Sequence, residues 1–254
     1  MHIDTRAAKN RFLWPKVLPE LTPEQRAISD DFMRRWLEHL PTHYGILERF
    51  NHRFAAESAE PGMRTIEVGA GRGNHLDFED VSQQEYHCVE YRENLAADLH
   101  KNHPSVTVVV TDCQKRLPYD DGYFDRALAI HVLEHLPDLP AAVVELHRVL
   151  KPGGVLSILI PCDPGPAYWL ARKISTERLF RRTYHQSYGW LYKREHINSP
   201  HEITSVLARK FDLTGRRMFP LRVPIASLNL VIGAHYRKRS KPTNGRRGTH
   251  PWHG

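Results

Sequence analysis

Hydrophobic spacing divides the chain into a helical front and an alternating core. Ile28, Phe32, Trp36 and Leu40 recur on one helical face, and Thr22-Pro23-Glu24-Gln25 ahead of them supplies a capping threonine, a first-turn proline and a glutamine at the third helical position. Pro41 and Thr42 interrupt that face, and a second helix through Phe54 would bury Ile46, Leu47, Phe50 and Phe54. Residues 1–60 therefore read as an arm, without firm structure as far as Leu21, followed by a helical cap. Apolar helix stripes are core by default, so padding of a sheet edge is the plain expectation and a cover over an acceptor the sharper one.

After the linker Glu60-Pro61-Gly62 the period shortens. Thr65 to Val68, Tyr86 to Val89, Val106 to Val110, Ala127 to Ile130 and Val155 to Ile160 are apolar runs of strand length. Helical segments from Asn94 to Lys101 and after Pro140, the latter with Ala141, Val144, Leu146 and Leu150, separate the later runs, while the stretch after Asn74 predicts a poorly formed helix. This succession is that of a doubly wound parallel α/β sheet. Val106 to Val110 is apolar throughout, the pattern of a strand covered on both faces. Ser199 opens a helix to Lys210, and Phe211 to Met218 and Asn229 to Tyr236 read as strands six and seven. Residues 237–254 mix Lys, Arg, Gly, Pro and His and are expected to be a disordered basic tail.

Composition narrows the classes. A chain of 254 residues, 41% of them hydrophobic, can form one main domain with a real core. It has no apolar run of about eighteen residues and no apolar leader at its start, so a cytoplasmic protein, at most peripheral to a membrane, is expected. Cys88, Cys113 and Cys162 are odd in number, far apart and outside any C-x-x-C, which suggests reduced thiols rather than a disulfide framework or a zinc knuckle. The net charge of +7 favours an anionic partner without choosing among nucleic acid, a phospholipid surface and an acidic small molecule.

The candidate chemistry starts at Thr65-Ile66-Glu67-Val68-Gly69-Ala70-Gly71-Arg72-Gly73-Asn74, a strand signal running into a glycine turn where the backbone can approach a ligand. Asn74 stands where the dinucleotide fingerprint needs its third glycine, which weighs against an NAD(P)-dependent dehydrogenase. Glu90 follows Gly71 by 19 positions, close to the spacing of about 20 at which a carboxylate meets ribose hydroxyls. Asp112, after strand three, is placed to accept from an adenine amine, with Cys113 beside it offering an apolar edge or its N–H. The plainer roles are a solvated glutamate and a turn-forming aspartate.

Three further segments occur in order: Leu117-Pro118-Tyr119-Asp120-Asp121-Gly122-Tyr123-Phe124-Asp125, His131-Val132-Leu133-Glu134-His135 and Val149-Leu150-Lys151-Pro152-Gly153-Gly154. With E-x-G-x-G-x-G at Glu67 to Gly73, Glu90 and Asp112, they resemble the type 11 methyltransferase domain of the class I S-adenosylmethionine (SAM)-dependent methyltransferases, over Arg64 to Pro161. The resemblance implies an α/β, Rossmann-like, doubly wound sheet of seven strands, mostly parallel with strand seven antiparallel, in a domain spanning 61–236. It implies SAM as cofactor, with Glu67, Gly69, Ala70 and Gly71 at its methionine end, Glu90 and Tyr91 at the ribose, Asp112 and Cys113 at the adenine, and His131 beside it. It implies methyl transfer to a small-molecule or lipid-linked acceptor, with O- or N-methylation expected. A SAM-binding regulator without catalysis would carry the same cofactor motifs.

His131, His135 and His196 are the candidate general bases, histidine being the side chain that titrates near neutrality, although the chain has 17 of them. His131 to His135 also spells H-x-x-E-H, a zinc signature. Zinc would need both histidines on one stable helix, whereas this segment follows a strand directly and meets Pro137, so no metal is expected. Residues 166–195, inserted after strand five where this family elaborates substrate covers, interleave Tyr168, Trp169, Phe180, Tyr184, Tyr188, Trp190 and Tyr192 with lysines and arginines. That mixture suits an anionic pocket, weak contact with a membrane surface, or an ordinary helix with a solvated face. No specific nucleic-acid contact is expected, and the sequence leaves the oligomeric state open.

Overall fold

The computed structural model describes residues 13–43 and 45–239, the side chains of residues 36–43 excepted. The arm before Leu13, the Trp36 and Leu40 positions and the tail beyond Arg239 lie outside the described residues. Helix α1 (Pro23–His43) starts at the expected box: the Gln25 amide donates to Thr22 Oγ1 at 3.2 Å and the Thr22 amide donates to Gln25 Oε1 at 3.1 Å. It does not stop at Pro41, because a proline in the last turn removes one amide donor with little helix left to disrupt. Helix α2 (Gly45–Ala56) buries Phe54 and Ala55 and half-buries Leu47 and Phe50, but Ile46 is 75% exposed and its place inside is taken by Asn51 and His52.

The strands are β1 (Arg64–Val68), β2 (Glu85–Glu90), β3 (Thr107–Val110), β4 (Phe124–Ile130), β5 (Leu150–Pro161), β6 (Phe211–Phe219) and β7 (Val231–Lys238). They form one sheet in the order β3-β2-β1-β4-β5-β7-β6, parallel except for β7, which runs antiparallel to both β5 and β6. Strand β7 reaches Lys238, two residues into the expected tail, and β5 begins at Leu150, five residues ahead of the expected Val155. Strand β3 is not covered on both faces. It is the sheet edge, with Val110 51% exposed, since an apolar run records β-propensity without recording which strand has a neighbour.

Alternation along the strands sorts the two faces. Ile66, Val68, Ala127, Ala129, Ile158 and Ile160 face the helix α4 (Leu139–Val149), whose inner residues are Leu139, Ala142, Val143, Leu146 and Val149, leaving Val144 outside. Cys88, Leu128 and Leu159 face α2. Helix α3 (Glu93–Asn102) covers β2 and β3, and the expected poor helix after Asn74 is two single 3-10 turns, Leu76–Phe78 and Val81–Gln83. The insertion folds as α5 (Pro166–Ile174), α6 (Thr176–Tyr184) and α7 (Gly189–Glu195), and α8 (Pro200–Leu207) follows with a capping box at Ser199.

Two contacts tie the additions to the sheet. Phe32 of α1 meets Phe180 at 5.2 Å and Tyr188 at 5.9 Å between ring centroids, and Tyr184 donates to Asp31 at 2.7 Å, so α1 and the insertion share a small core of their own. Beneath α2, the fully buried Arg126 of β4 pairs with the fully buried Glu79 and donates to Ser58 Oγ and to the Ala55 carbonyl. His75 also contacts Glu79, at 2.5 Å. One guanidinium therefore joins the end of α2 to the segment that follows the glycine turn.

Candidate active site

The chain leaves β1 toward β2 and β3, then returns to place β4 and β5 on the other side, so the carboxyl ends of β1 and β4 part at the switch point of the sheet. The glycine turn fills that crevice. Gly69 lies at φ 68°, and a Cβ there would stand 2.3 Å from Val132 Cγ2, so only glycine lets the two strand tips approach. Gly71, at φ 58°, is the opposite case, since a Cβ on it would meet nothing within 4 Å. Its outer wall borders open space.

Glu90, 3% exposed, is the fixed point of this wall: Oε2 accepts from the Gly71 amide at 2.9 Å and Oε1 from the Arg92 amide at 3.0 Å. Each carboxylate oxygen has two lone-pair directions, so Oε2 keeps one for an incoming hydroxyl. Glu67, also buried, accepts from Tyr86 Oη at 2.8 Å, and Ala70 is buried beside it in the turn. Asp112 Oδ1 accepts from the amide and side chain of Gln114, the turn-forming role, at the carboxyl end of β3. Burial pushes the Cys113 thiol up to about 12, with Asp112 adding to the shift, so it is a neutral apolar edge and no nucleophile. Tyr91, next along the chain, is 72% exposed. An open cradle of backbone at Gly71, a buried carboxylate with spare acceptor capacity and an apolar thiol edge fit a ribonucleoside such as the one SAM carries.

The three histidines singled out by the sequence gather around a residue that the sequence left without a role. Glu134, 1% exposed, presents Oε1 to His131 Nδ1 at 3.2 Å and to His135 Nε2 at 3.8 Å. His135 and His196 stand edge to face at 5.3 Å, His196 stacks on Tyr192 at 5.5 Å, and Asp163 receives the Tyr192 hydroxyl while lying 3.0 Å from His196. His131 and His135 are hemmed in by protein, yet 31% and 35% of their side-chain surfaces remain open. Tyr168 of α5 lies 5.9 Å from His196, and Asn51 of α2 meets His131 Nε2 at 3.0 Å.

His131 and His135 are shifted in opposite directions. For His131 burial works against the proton, but the hydrogen bond and charge of Glu134, with Glu48 behind, outweigh it and raise the pKa. For His135 burial wins and lowers it, despite Glu134 and Glu195. His135 Nδ1 faces the carbonyl of Glu195, which can only accept, so Nδ1 carries the hydrogen and Nε2 the free pair. The H-x-x-E-H segment is a single 3-10 turn, Leu133–His135, whose histidines converge on a carboxylate, and among the described residues no group of His, Cys, Asp or Glu is arranged to hold a metal. His131 itself sits at φ 52°, an uncommon conformation held by its amide bond to the Leu159 carbonyl. Asn51 had left a trace in the sequence, as a polar residue at helical spacing between Leu47 and Phe54, and Tyr192 one as an aromatic of the insertion; Asp163 had none.

Comparison with known proteins agrees with this geometry. Residues 66–158 match the family described as methyltransferase domain. A 2-methyl-6-phytyl-1,4-hydroquinone methyltransferase of Oryza sativa is 30% identical over 127 residues, 46% of this chain and 36% of that protein. A sterol 24-C-methyltransferase of Gibberella zeae is 30% identical over 106 residues, 39% of this chain and 28% of that protein. The chain thus spans well under half the length of these relatives. A TehB-like SAM-dependent methyltransferase from Corynebacterium glutamicum shares the fold with a TM-score of 0.59 at 16% identity, over 84% of this chain and all of that one. Residues 66–158 are therefore a methyltransferase domain of the class I, SAM-dependent type.

Proposed function

We propose that the protein transfers the methyl group of SAM to a small, lipid-linked phenolic acceptor, at a ring carbon activated by loss of the hydroxyl proton. The observation that carries this reading is the partly exposed histidine cluster, in which His135 offers a free nitrogen 3.8 Å from Glu134. Bound at the turn, SAM supplies an electrophilic methyl on a sulfonium, and the residues of the chain supply position and proton transfer. His135 Nε2 takes the hydroxyl proton, with Glu134, 3.8 Å away, stabilising the imidazolium; once the ring carbon carries the methyl, it loses its hydrogen as a proton to solvent while His135 returns its own to the oxygen. His131, whose nitrogens are engaged by Glu134 and Asn51, holds its proton more tightly and lends positive charge to the developing oxyanion. Tyr168 and Tyr192 give the ring aromatic neighbours. O- or N-methylation, expected from the sequence, finds no support in the two relatives, whose names specify a hydroquinone and a sterol carbon; a carbon acceptor is the better reading.

Two results test it. Calorimetry should show SAM and S-adenosylhomocysteine binding without NAD binding, and Glu90→Ala should weaken SAM by about 1.5–3 kcal/mol, the range for hydrogen bonds to a charged group. Unchanged affinity in the folded variant would take Glu90 out of the ribose site. Labelled SAM offered with prenylated hydroquinones should give a ring-methylated product identifiable by NMR. Binding without transfer to any phenol would instead favour a regulator.

The pH profile should be a bell. Turnover rises as His135 loses its proton, with a midpoint below the ordinary histidine value of about 6.5, because burial lowers its pKa. It falls as His131 loses its proton, with a midpoint above that value, because Glu134 raises it. His135→Gln should reduce kcat by about 100-fold or more and erase the acid limb, while His131→Asn should flatten only the alkaline limb. A profile that keeps both limbs in these variants rules out the assignment.

A further inference from the structure

Outside the histidine cluster, the insertion and the loop between β6 and β7 expose apolar side chains that no part of the described chain covers. In α5, Tyr168 points inward toward His196, whereas Trp169, Leu170 and Ile174 are 51%, 54% and 65% exposed. The loop offers Leu221, Val223, Ile225 and Leu228, exposed by 57%, 37%, 49% and 48%. The two sets are neighbours: a Cβ on Gly165, which opens α5, would lie 3.3 Å from the Ala226 carbonyl and 3.4 Å from Ser227 Cα.

This loop is held in shape. Asn229, wholly buried, accepts from the Leu221 amide at 2.9 Å and donates to the carbonyls of Val223 and Ile225, both at 3.0 Å. A buried polar side chain thus satisfies the loop's backbone from inside while its apolar side chains face out, the reverse of a loop that hides them. On the insertion itself, a shallow groove of about 540 Å³ where α5 meets α6 is lined by Lys173, Arg178, Arg181, Arg182 and His185. The one carboxylate lining it, Glu177, is engaged by Arg172 and Lys173, which leaves the groove strongly basic. No helix of the described residues is long and apolar enough to cross a membrane, so any contact made by this face stays at the surface.

We infer that α5, α6 and the 220–228 loop dock the protein on the surface of a bilayer rich in anionic lipid. Trp169, Leu170 and the loop side chains enter at headgroup level, where indole rings and aliphatic tips are favoured, and Arg178, Arg181, Arg182 and Arg222 meet the lipid phosphates. The charge chooses lipid over a second copy of this chain, since two such arginine clusters would repel across a symmetric contact. The inference takes its purpose from the proposed lipid-linked acceptor: α5 turns Tyr168 toward His196 while its next residue, Trp169, is exposed on the docked face.

The test does not depend on turnover. The full chain is sedimented with vesicles of phosphatidylcholine alone and of phosphatidylcholine mixed with phosphatidylglycerol. Binding to the mixed vesicles only is expected, reduced roughly tenfold or more in Leu221→Ser/Ile225→Ser and in Arg178→Ser/Arg181→Ser/Arg182→Ser. Added salt should weaken the wild type toward the arginine variant. SAM affinity should be unchanged in both variants, which separates docking from folding. Equal binding to both vesicle types, variants that sediment like the wild type, or a dimer in light scattering that Leu221→Ser/Ile225→Ser dissociates would overturn it. Absence of methyl transfer to phenols would count against the acceptor alone and leave this result standing.

Discussion

Replacing Arg126 with Met is expected to cost about 3–5 kcal/mol of folding stability, the largest loss from any single change considered. The guanidinium is fully buried and pairs with Glu79 through both terminal nitrogens. Without it, Glu79 remains buried as a charge with only His75 and Gln84 as partners. Urea denaturation should show a lower midpoint with an unchanged slope. Arg126→Met combined with Glu79→Met should recover most of the loss, because removing both charges removes the unpaired one.

The pH dependence of this prediction has a definite sign. Burial by itself would raise the Glu79 pKa, but hydrogen bonds from His75 and Arg126 and the charge of Arg126 outweigh it and hold the carboxyl far below the usual range. A depressed carboxylate stabilises the fold above its unfolded pKa and ceases to do so as pH falls through the folded one. Wild-type stability should therefore decline below the ordinary glutamate value of about 4.3. The gap to Arg126→Met should narrow over the same range, since protonation breaks the wild-type pair and discharges the orphaned carboxyl of the variant. A gap that stays constant from neutral pH into that range would remove Glu79 from the account.

The buried pair also shows where sequence reading stops. The β-branched runs, Thr22 cap and glycine turn are local signals, and each of them formed the expected element because spacing and capping act within a few residues. The pairing of Arg126 with Glu79 spans 47 positions, and the gathering of His131, Glu134, His135, Asp163 and His196 spans 65 (196 − 131). Such contacts depend on which helix lands on which strand end. The same limit explains the misread of β3, whose apolar pattern is real but which has no outer neighbour among the described residues, and of Ile46, which lost the inward face of α2 to Asn51. Asn51 is inside because His131 Nε2 is there to meet it. A polar residue in an apolar stripe was the visible half of that pair; the strand tip opposite it was the half the sequence withheld.

Gly71→Val is expected to abolish SAM binding, by about 100-fold or more, a loss of about 2.7 kcal/mol or greater. Two effects add. The residue sits at φ 58°, where a side chain costs about 1–2 kcal/mol and a β-branched one more. The Cβ would also project into the open space beside the turn, where it meets no protein atom within 4 Å and so occupies only what the cofactor would fill. The neighbouring glycine provides the contrast. Gly69→Ala drives its methyl into Val132 Cγ2, 2.3 Å away, so its damage is to the packing of the strand tips and should be partly relieved by Val132→Ala. No second-site change in the protein should relieve Gly71→Val, because what it displaces is not protein. Calorimetry on both glycine variants, with thermal unfolding alongside, separates the two cases. A folded Gly71→Val protein that still binds SAM would show that the cofactor does not lie against this turn.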